Sequence, residues 1–282
     1  MTHNAPPPKA SVILPASNEA GYIGPCLKAV LGSEGDVAFE IIVVANGCRD
    51  DTVEQARGIA DQPDQPNRPI QVIEAPEGDK LKALNTGDAA AQAPIRIYLD
   101  ADVRVSAGLI PALIAELETD VPRYASGRPE IAPAKSTVTR AYARVWQKLP
   151  FVTNGVPGFG VFAMNAAGRA RWADWPRIIS DDTYARLKFA PSERVSVPHG
   201  YRWPMIEGFA GLVRVRRRQD RGVREIEEQF PDLMQNADPV AKPGRQKALA
   251  ALRDPVGFVV YAAVALAVRL LPGQKEGWER GR

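Results

Sequence analysis

The sequence of 282 residues has little of several features that mark common protein classes. Its two cysteines, Cys26 and Cys48, are too few for a disulfide framework or a four-cysteine zinc site. No apolar run reaches the roughly 18 residues of a confident membrane span. Residues 1–10 lack the apolar core of a signal peptide and predict a disordered N-terminus. We therefore expect a cytoplasmic body with reduced thiols.

Three familiar motifs are also missing from the sequence. No GxGxxG follows the first predicted strand, which disfavours a dinucleotide-binding fold. The chain has no P-loop and no GxSxG nucleophile elbow.

The net charge of +3, from 36 basic and 33 acidic residues, is too small to argue for nucleic acid, and no aromatic residues interleave the basic segments. We therefore expect no nucleic-acid partner.

Short apolar strands alternate with helix-like segments in the first 120 residues. With 45% hydrophobic residues the chain can bury a core. Strands are predicted at 11–15, 40–44, 70–74 and 95–99, and helices at 22–32, 52–56, 80–92 and 106–119. This order predicts βαβ units, a parallel sheet and helices on both of its faces. Ligands of such sheets bind at the carboxyl ends of the strands.

Two acidic pairs are candidate sites. Asp100 and Asp102 follow the fourth strand, and their spacing directs both carboxylates to the same side. Such a pair suits a hard divalent cation, although a solvated turn has the same pattern. Asp181 and Asp182 form the second pair, which predicts either a helix cap or a general base. His199 is a candidate third metal ligand or an ordinary loop histidine.

The excess of basic over acidic residues lies in two segments near the C-terminus. Residues 214–224 carry six arginines and one aspartate, whereas residues 225–241 carry five acids and no base. Arginine forks bind phosphate oxygens, so the first segment suits a diphosphate. A solvated basic face, paired with the acids that follow, explains the same pattern. Residues 242–282 are the second basic segment, with eight bases and three acids.

Read together, these segments resemble a family-2 glycosyltransferase with a GT-A fold, over residues 11–222. The first strand and its turn (SVILPASNE), the second strand and its loop (IIVVANGCRDDT) and the stretch around Lys80, Leu84, Asn85 and Gly87 match in order. Asp100-Ala101-Asp102 falls on the DxD metal motif, and Ser180 to Thr183 falls on the Glu-Asp motif. The resemblance implies a Rossmann-like nucleotide-binding sheet in a domain spanning 11–230, followed by a linker and helical tail at 231–282.

The resemblance also implies roles for individual residues. Asp182 becomes the catalytic base, and Asp102 with Asp100 holds Mg²⁺ or Mn²⁺. The acceptor contacts are Gly158, Phe159, Gly160 and Asp181. The nucleotide-sugar contacts are Pro15, Asn18, Glu19, Asn46, Lys80, Asp100, Asp102, Arg217, Arg218 and Arg221. Three departures stand out: Ala45-Asn46 replaces two aspartates, Asp181 replaces glutamate, and the arginine region lacks its tryptophan.

The implied reaction is inverting transfer of a sugar from a nucleotide-diphosphate donor to a hydroxyl of a polysaccharide or lipid-linked glycan. A non-catalytic nucleotide-sugar-binding or scaffolding subunit with a degenerate site is the alternative, because of Ala45 and the missing tryptophan. A sugar-phosphate nucleotidyltransferase would carry a glycine-rich start in place of residues 15–19.

The tail contains an uncharged apolar run from Pro255 to Val268. A helix of about 21 Å is too short to cross a bilayer core of roughly 30 Å. The alternatives are a helix packed on the domain and a monotopic or re-entrant contact with anionic lipid on the cytoplasmic face of the plasma membrane. The flanking bases Lys247, Arg253, Arg269, Lys275, Arg280 and Arg282 favour the membrane contact.

Overall fold

The structure, a computed structural model, describes residues 6–62, 67–153, 155–238 and 253–270. Its first 120 residues alternate between strands and helices, as the apolar spacing predicted. The elements in chain order are β1 Ala10–Ala16, α1 Ile23–Leu31, β2 Phe39–Asn46, α2 Thr52–Ala60, β3 Ile70–Ala75, α3 Lys80–Ala90, β4 Ile95–Leu99, β5 Arg104–Val105, α4 Leu109–Leu117 and β6 Tyr124–Ile131.

The second half of the chain is mainly helical. It contains α5 Thr137–Trp146, α6 Pro150–Thr153, β7 Val161–Met164, α7 Ala166–Arg169, α8 Asp181–Leu187, a 3₁₀ turn Pro191–Glu193, β8 Arg194–Trp203, α9 Gly208–Gln229, a 3₁₀ turn Pro231–Asn236 and α10 Pro255–Leu270. The sequence patterns did not predict β5, β6, β8 or the full length of α9. These strands alternate weakly, and tertiary pairing stabilises them instead of local propensity.

Eight strands form one sheet in the order β3-β2-β1-β4-β7-β6-β8-β5. The first four are parallel, with Val12 of β1 opposite both Ile41 of β2 and Ile97 of β4. The pairs β4–β7, β6–β7 and β5–β8 are antiparallel. The mixed α/β sheet of the predicted GT-A fold is confirmed, but its parallel part is confined to β1–β4.

Helices cover both faces of the parallel strands. On one face Val12, Ile41 and Val43 belong to a core cluster that also includes side chains of α1, α2 and α4. On the other face Ile42 and Val44 pack with Ala83 of α3. Successive side chains of a strand point to opposite faces, and all eight residues of β2 are buried, so its centre, from Ile41 to Ala45, is apolar on both faces.

The chain divides into two compact units. The sheet unit comprises Met1–Pro129, Gly158–Arg177 and Lys188–Trp203, and the helical unit comprises Glu130–Pro157, Ile178–Leu187 and Pro204–Arg282. The region 11–230, predicted as one domain, is thus distributed over both units.

α10 lies in the helical unit and packs on α5. Tyr261 stacks on Tyr142 with ring centroids 5.3 Å apart, and Arg144 of α5 donates two hydrogen bonds to Asp254 at 2.6 and 3.1 Å. Within the described ranges, no helix has both the length and the apolar character needed to cross a membrane. Four of the predicted flanking bases lie outside the described residues: Lys247, Lys275, Arg280 and Arg282.

Candidate functional site

The loops that follow β1, β2 and β3 meet at the carboxyl edge of the parallel strands. Gly47, after β2, has φ +56°, and a Cβ built on it would lie 2.5 Å from the backbone nitrogen of Gly78. Its own N–H donates to the carbonyl of Ala75 at 2.9 Å. Ser17, after β1, lies 3.9 Å from a Cβ built on Gly78. Only glycine allows backbones to approach this closely, so the three loops form one continuous surface.

Hydrogen bonds join the turn after β1 to the loop after β2. Asn18 has φ +54°, a left-handed conformation that asparagine tolerates, and its Oδ1 accepts a hydrogen bond from Arg49 N at 2.7 Å. The N–H of Glu19 donates to Thr52 Oγ1 at 2.7 Å. The turn that carries Asn18 and Glu19, two predicted nucleotide contacts, is therefore fixed to its neighbour.

Asp50 is the second connection between these loops. Its carboxylate accepts hydrogen bonds from Thr52 Oγ1 at 2.5 Å, Thr52 N at 3.2 Å and Ala20 N at 3.2 Å. Partial burial raises the pKa of Asp50, but these hydrogen bonds outweigh it and hold the pKa below its ordinary value. At the start of α2, Asp50 accepts the hydrogen bond from Thr52 N, and Asp51 makes no side-chain cap bond.

Asn46 ends β2 and is only 2% exposed. Its Nδ2 donates to the carbonyls of Ala16 at 3.0 Å and Val44 at 3.2 Å. Its Oδ1 and the Oγ of Ser17 are buried and have no hydrogen-bond partner within the described part of the chain. Pro15 lies in β1 opposite Val44. A buried oxygen without a partner is costly unless a ligand donates to it, so Asn46 is suited to receive an N–H.

The carboxylate pair after β4 lies beside α3. Lys80, the first residue of α3, contacts Asp100 with Nζ 2.9 Å from Oδ1. Asp79 caps that helix by accepting from Leu81 N at 3.0 Å and Lys82 N at 3.2 Å. The backbone N–H of Asp100 donates to the carbonyl of Gly160 at 2.8 Å. Lys80 and Asp100, both predicted donor contacts, are thus brought together.

The donor set of this turn fits a divalent cation that binds together with a substrate. Asp100 and the half-buried Asp102 supply hard carboxylate oxygens. No group of three His, Cys, Asp or Glu side chains able to hold a metal occurs among the described residues. Mg²⁺ and Mn²⁺ keep few protein ligands where phosphate oxygens complete the site, so two carboxylates fit such an ion.

The glycine-rich loop before β7 lies against the same turn. Gly160 has φ +80°, and a Cβ on it would lie 2.9 Å from Val103 and 2.8 Å from Trp203. Gly158 has φ +74°, and its Cβ would lie 1.8 Å from the hydroxyl of Tyr124. The carbonyl of Phe159 accepts from the hydroxyl of Tyr201 at 2.7 Å. Three of the four predicted acceptor residues, Gly158, Phe159 and Gly160, thus form a tightly packed loop in which the two glycine positions have no room for a larger residue.

His199, the predicted third metal ligand, and Cys26, expected to be a reduced thiol, have ordinary surroundings. The ring of His199 lies against Gly108 at the start of α4, where an added Cβ would lie 2.3 Å from Cε1. Its role as a metal ligand stays a prediction. Burial, followed by the charges of Asp100 and Glu19, raises the pKa of the Cys26 thiol, which is therefore protonated.

A buried polar cluster around Asp88 was not identified from the sequence. Its carboxylate accepts hydrogen bonds from Tyr98 Oη at 2.7 Å, Arg169 at 2.9 Å and Trp175 Nε1 at 2.8 Å. Burial and the adjacent Asp88 raise the pKa of Tyr98. Asn85, one turn earlier in α3, accepts from Trp175 N at 2.8 Å. The cluster fixes the segment around Trp175 to α3, and an acid directly before three alanines was its one signal in the sequence.

In the helical unit, the second acidic pair begins α8. Asp181 is 5% exposed, and Asp182 is half-buried. Asp182 Oδ1 accepts from Thr183 N at 2.7 Å. The functional assignment of both acids stays a prediction.

The arginines of α9 have contacts that the sequence did not predict. Arg217 donates to the carbonyl oxygens of Ala267 at 2.9 Å and Val268 at 3.4 Å, in the last turn of α10. Cations near a helix C-terminus satisfy its free carbonyls, so Arg217 caps α10. The Nε of Arg221 is buried without a hydrogen-bond partner in the described ranges. The predicted diphosphate role of Arg217, Arg218 and Arg221 stays a prediction, and Arg217 would have to leave this cap to perform it.

Comparison with known proteins identifies relatives of this fold. Residues 11–174 match the model of the family described as Glycosyl transferase family 2. No curated protein matches the sequence. The mannosyltransferase PcManGT from Pyrobaculum calidifontis, solved with GDP-Man and Mn²⁺, is 17% identical with a TM-score of 0.60, over 96% of this chain and 79% of that one. S. aureus TarS 1-349, solved with UDP, is 12% identical with a TM-score of 0.52, over 97% and 95%. At these identities the likeness shows the fold alone.

Proposed function

Because the chain belongs to glycosyl transferase family 2, we propose that it transfers a sugar, with inversion, from a nucleotide-diphosphate donor to a hydroxyl of a glycan acceptor. The observation that carries the proposal is the continuous surface formed by the loops after β1, β2 and β3, with Lys80 of α3 paired to Asp100 of the turn after β4. Similar folds have been solved with GDP-Man and Mn²⁺ and with UDP. This surface is our proposed donor site.

Within the proposal, the residues of this chain have separate tasks. Asp102, supported by Asp100, would hold Mg²⁺ or Mn²⁺, which supplies positive charge to the donor diphosphate and makes it a better leaving group. Lys80 keeps Asp100 oriented. Asp182 would accept the proton of the acceptor hydroxyl as that hydroxyl attacks the anomeric carbon. Gly158, Phe159 and Gly160 would shape the acceptor side.

Asn46 would select the base of the donor nucleotide. Its Nδ2 is occupied by backbone carbonyls, so the free Oδ1 can only accept a hydrogen bond. Uracil, thymine and guanine present a ring N–H, whereas the corresponding ring nitrogen of cytosine is an acceptor. We therefore expect UDP-, dTDP- or GDP-sugars to bind in preference to CDP-sugars, because two facing acceptors would leave both unsatisfied.

The test is a panel of UDP-, GDP-, dTDP- and CDP-sugars, assayed by thermal shift and by release of the nucleoside diphosphate, with Mn²⁺ and with EDTA. Metal-dependent hydrolysis of one donor class, lost with EDTA, is the expected result. Binding of a nucleotide sugar without turnover, even when compounds with acceptor hydroxyls are added, would instead identify the chain as a nucleotide-sugar-binding subunit. Preference for CDP-sugars would contradict the role of Asn46.

The proposal includes an acceptor at an anionic membrane, reached through the outer face of α10. Gly257 and Val264 of that helix are buried, whereas Val256, Val259 and Leu266 are between 56% and 65% exposed. Spacings of three and seven residues place the exposed side chains in one stripe. A 16-residue helix is about 24 Å long, which suits a helix lying in the interface. Exposed Arg253 and Arg269 flank the stripe and complement anionic headgroups.

Vesicle co-sedimentation tests this contact. The protein should pellet with vesicles containing phosphatidylglycerol and remain in solution with phosphatidylcholine alone. The double variant Val259→Asp and Leu266→Asp should lose pelleting, because both charges would enter the apolar interface. Val121→Asp, at a 60% exposed position of the sheet unit, is the matched control and should pellet like the parent. Unchanged pelleting of the double variant would refute the contact.

A further inference from the structure

The backbone that leads into α8 is held by a side chain of α9. Glu225 Oε2 accepts a hydrogen bond from the N–H of Ile179 at 2.7 Å. Ile179 lies three residues before Asp182. The first helical hydrogen bond of α8 runs from Tyr184 N to the carbonyl of Ser180 at 3.0 Å, so its acceptor residue directly follows Ile179. An ionised acceptor makes a stronger hydrogen bond than a neutral one. Glu225 therefore fixes the point from which α8 starts.

A second contact of α9 acts on the same segment. A Cβ built on Gly222 would lie 2.1 Å from Ser180 Oγ and 3.1 Å from Ile179 Cγ2. Gly222 and Glu225 are three residues apart, so they share one face of α9. That face thus approaches the α8 entry so closely that a side chain at position 222 would have to displace Ser180. The contact is steric and independent of the hydrogen bond.

α9 itself has a defined position within the helical unit. The guanidinium of Arg216 lies 5.2 Å from the ring centre of Tyr261 and donates to the hydroxyl of Tyr142 at 3.3 Å. Arg217 binds the last carbonyls of α10. Held at these points to α5 and α10, α9 is a fixed support for the segment that Glu225 and Gly222 contact.

We propose that Glu225 is a positioning residue for Asp182, acting through the backbone of Ile179, and that Gly222 provides the space this arrangement needs. The inference rests on the proposed function, in which Asp182 accepts the acceptor proton. Glu225 contacts the α8 entry and is not among the residues proposed to bind the donor. Its loss should displace the base while leaving affinity for the nucleotide sugar intact.

The first experiment compares Glu225→Ala, Glu225→Gln and the control Glu228→Ala, which alters an exposed acid of the same helix. Glu225→Ala should lower kcat by about 10- to 100-fold with donor KM unchanged, the effect of a misplaced general base. Glu225→Gln should recover most of kcat, because its amide oxygen still accepts from Ile179 N. Glu228→Ala should equal the parent. Equal kcat in all three, or a loss confined to KM, would overturn the proposal.

The second experiment uses the steric contact and does not depend on Glu225→Ala remaining folded. Gly222→Ala should lower kcat in the same way, and the double variant Gly222→Ala with Ser180→Gly should recover part of it, because the atoms nearest the new methyl group are removed. Full activity of Gly222→Ala would count against the proposal. Thermal unfolding of each variant confirms that folded protein is compared.

Asp182→Asn, assayed in parallel, separates the two hypotheses. If Asp182→Asn keeps full transfer activity, the base assignment fails, whatever Glu225 does. If Asp182→Asn is inactive and Glu225→Ala retains the parent kcat, the positioning role alone is wrong.

Discussion

The sheet unit and the helical unit are assembled by different kinds of contact. At the carboxyl edge of the sheet, loops touch through glycine backbones, such as Gly47 against Gly78, and through hydrogen bonds to main-chain N–H groups. In the helical unit, long side chains join the helices: Arg217 caps α10, and Arg144 pairs with Asp254.

This difference affects what each unit can tolerate. A backbone contact is disrupted by adding an atom, whereas a side-chain contact is disrupted by removing one. The shape of the sheet edge therefore depends little on side-chain rotamers. Such a surface suits binding of a nucleotide that is the same in every turnover. The helical unit depends on exposed and half-buried pairs, whose individual contributions are small.

The largest expected effect separates the tasks proposed for the two units. Asp182→Asn, in the helical unit, should reduce transfer by about 10²- to 10⁴-fold, the usual contribution of a general base. Donor binding, measured by calorimetry, should persist. Asp102→Asn, in the sheet unit, should instead weaken metal-dependent donor binding. An equal loss of donor affinity in both variants would contradict the proposal that Asp102 binds the donor and Asp182 acts as the base.

An intermediate effect tests the backbone contact of the sheet unit. Gly47→Ala should lower the free energy of unfolding by about 1–3 kcal/mol, because alanine at φ +56° is strained and its Cβ meets the backbone of Gly78. Gly58→Ala is the matched control, since nothing lies within 4 Å of its added Cβ, and it should be neutral or stabilising in helix α2. Urea unfolding of both variants measures the difference, and equal stabilities would show that the loops can separate.

The smallest effect concerns acid stability of the helical unit. The hydrogen bond from Arg144, followed by that from Gly257 N, lowers the pKa of Asp254 from 3.8 to about 2. A depressed pKa contributes stability that is present above pH 3.8 and lost as the pH falls towards 2. The parent should therefore lose more thermal stability than Asp254→Asn between pH 4 and pH 2. Thermal stability is measured by circular dichroism. An equal loss of stability in both proteins would show that the pair of Arg144 and Asp254 does not hold α10.

Much of the sheet unit was predictable from local patterns. Apolar runs at 11–15, 40–44, 70–74 and 95–99 became β1–β4, and the polar segments after them meet as expected for parallel strands. Asp100 was singled out by its place after β4, whereas the roles of Lys80, Asn18 and Asn46 were predicted through the family resemblance. β5, β6 and β8 were not predicted, because their antiparallel partners lie far away in sequence, as with Arg104 of β5 opposite Arg202 of β8.

The contacts of charged residues could not be predicted in the same way. The arginines of α9 suggested phosphate binding by composition, yet Arg216 and Arg217 contact aromatic rings and carbonyls of other helices. In the sequence Asp88 is an acid in a predicted helix, and nothing marks its partners. In the structure its carboxylate accepts hydrogen bonds from Tyr98, Arg169 and Trp175. A charge in a sequence carries no information about a partner 50 or more residues away.

By itself the sequence determined the alternation of strands and helices, the family, and the polar segments that follow the parallel strands, because periodicity and strand polarity are local properties. Only the tertiary structure decided which groups face each other. It paired Lys80 with Asp100, left the Oδ1 of Asn46 buried and open to a donor, and brought Glu225 to the backbone of Ile179. These pairings depend on the packing of elements distant in sequence, which no local pattern encodes.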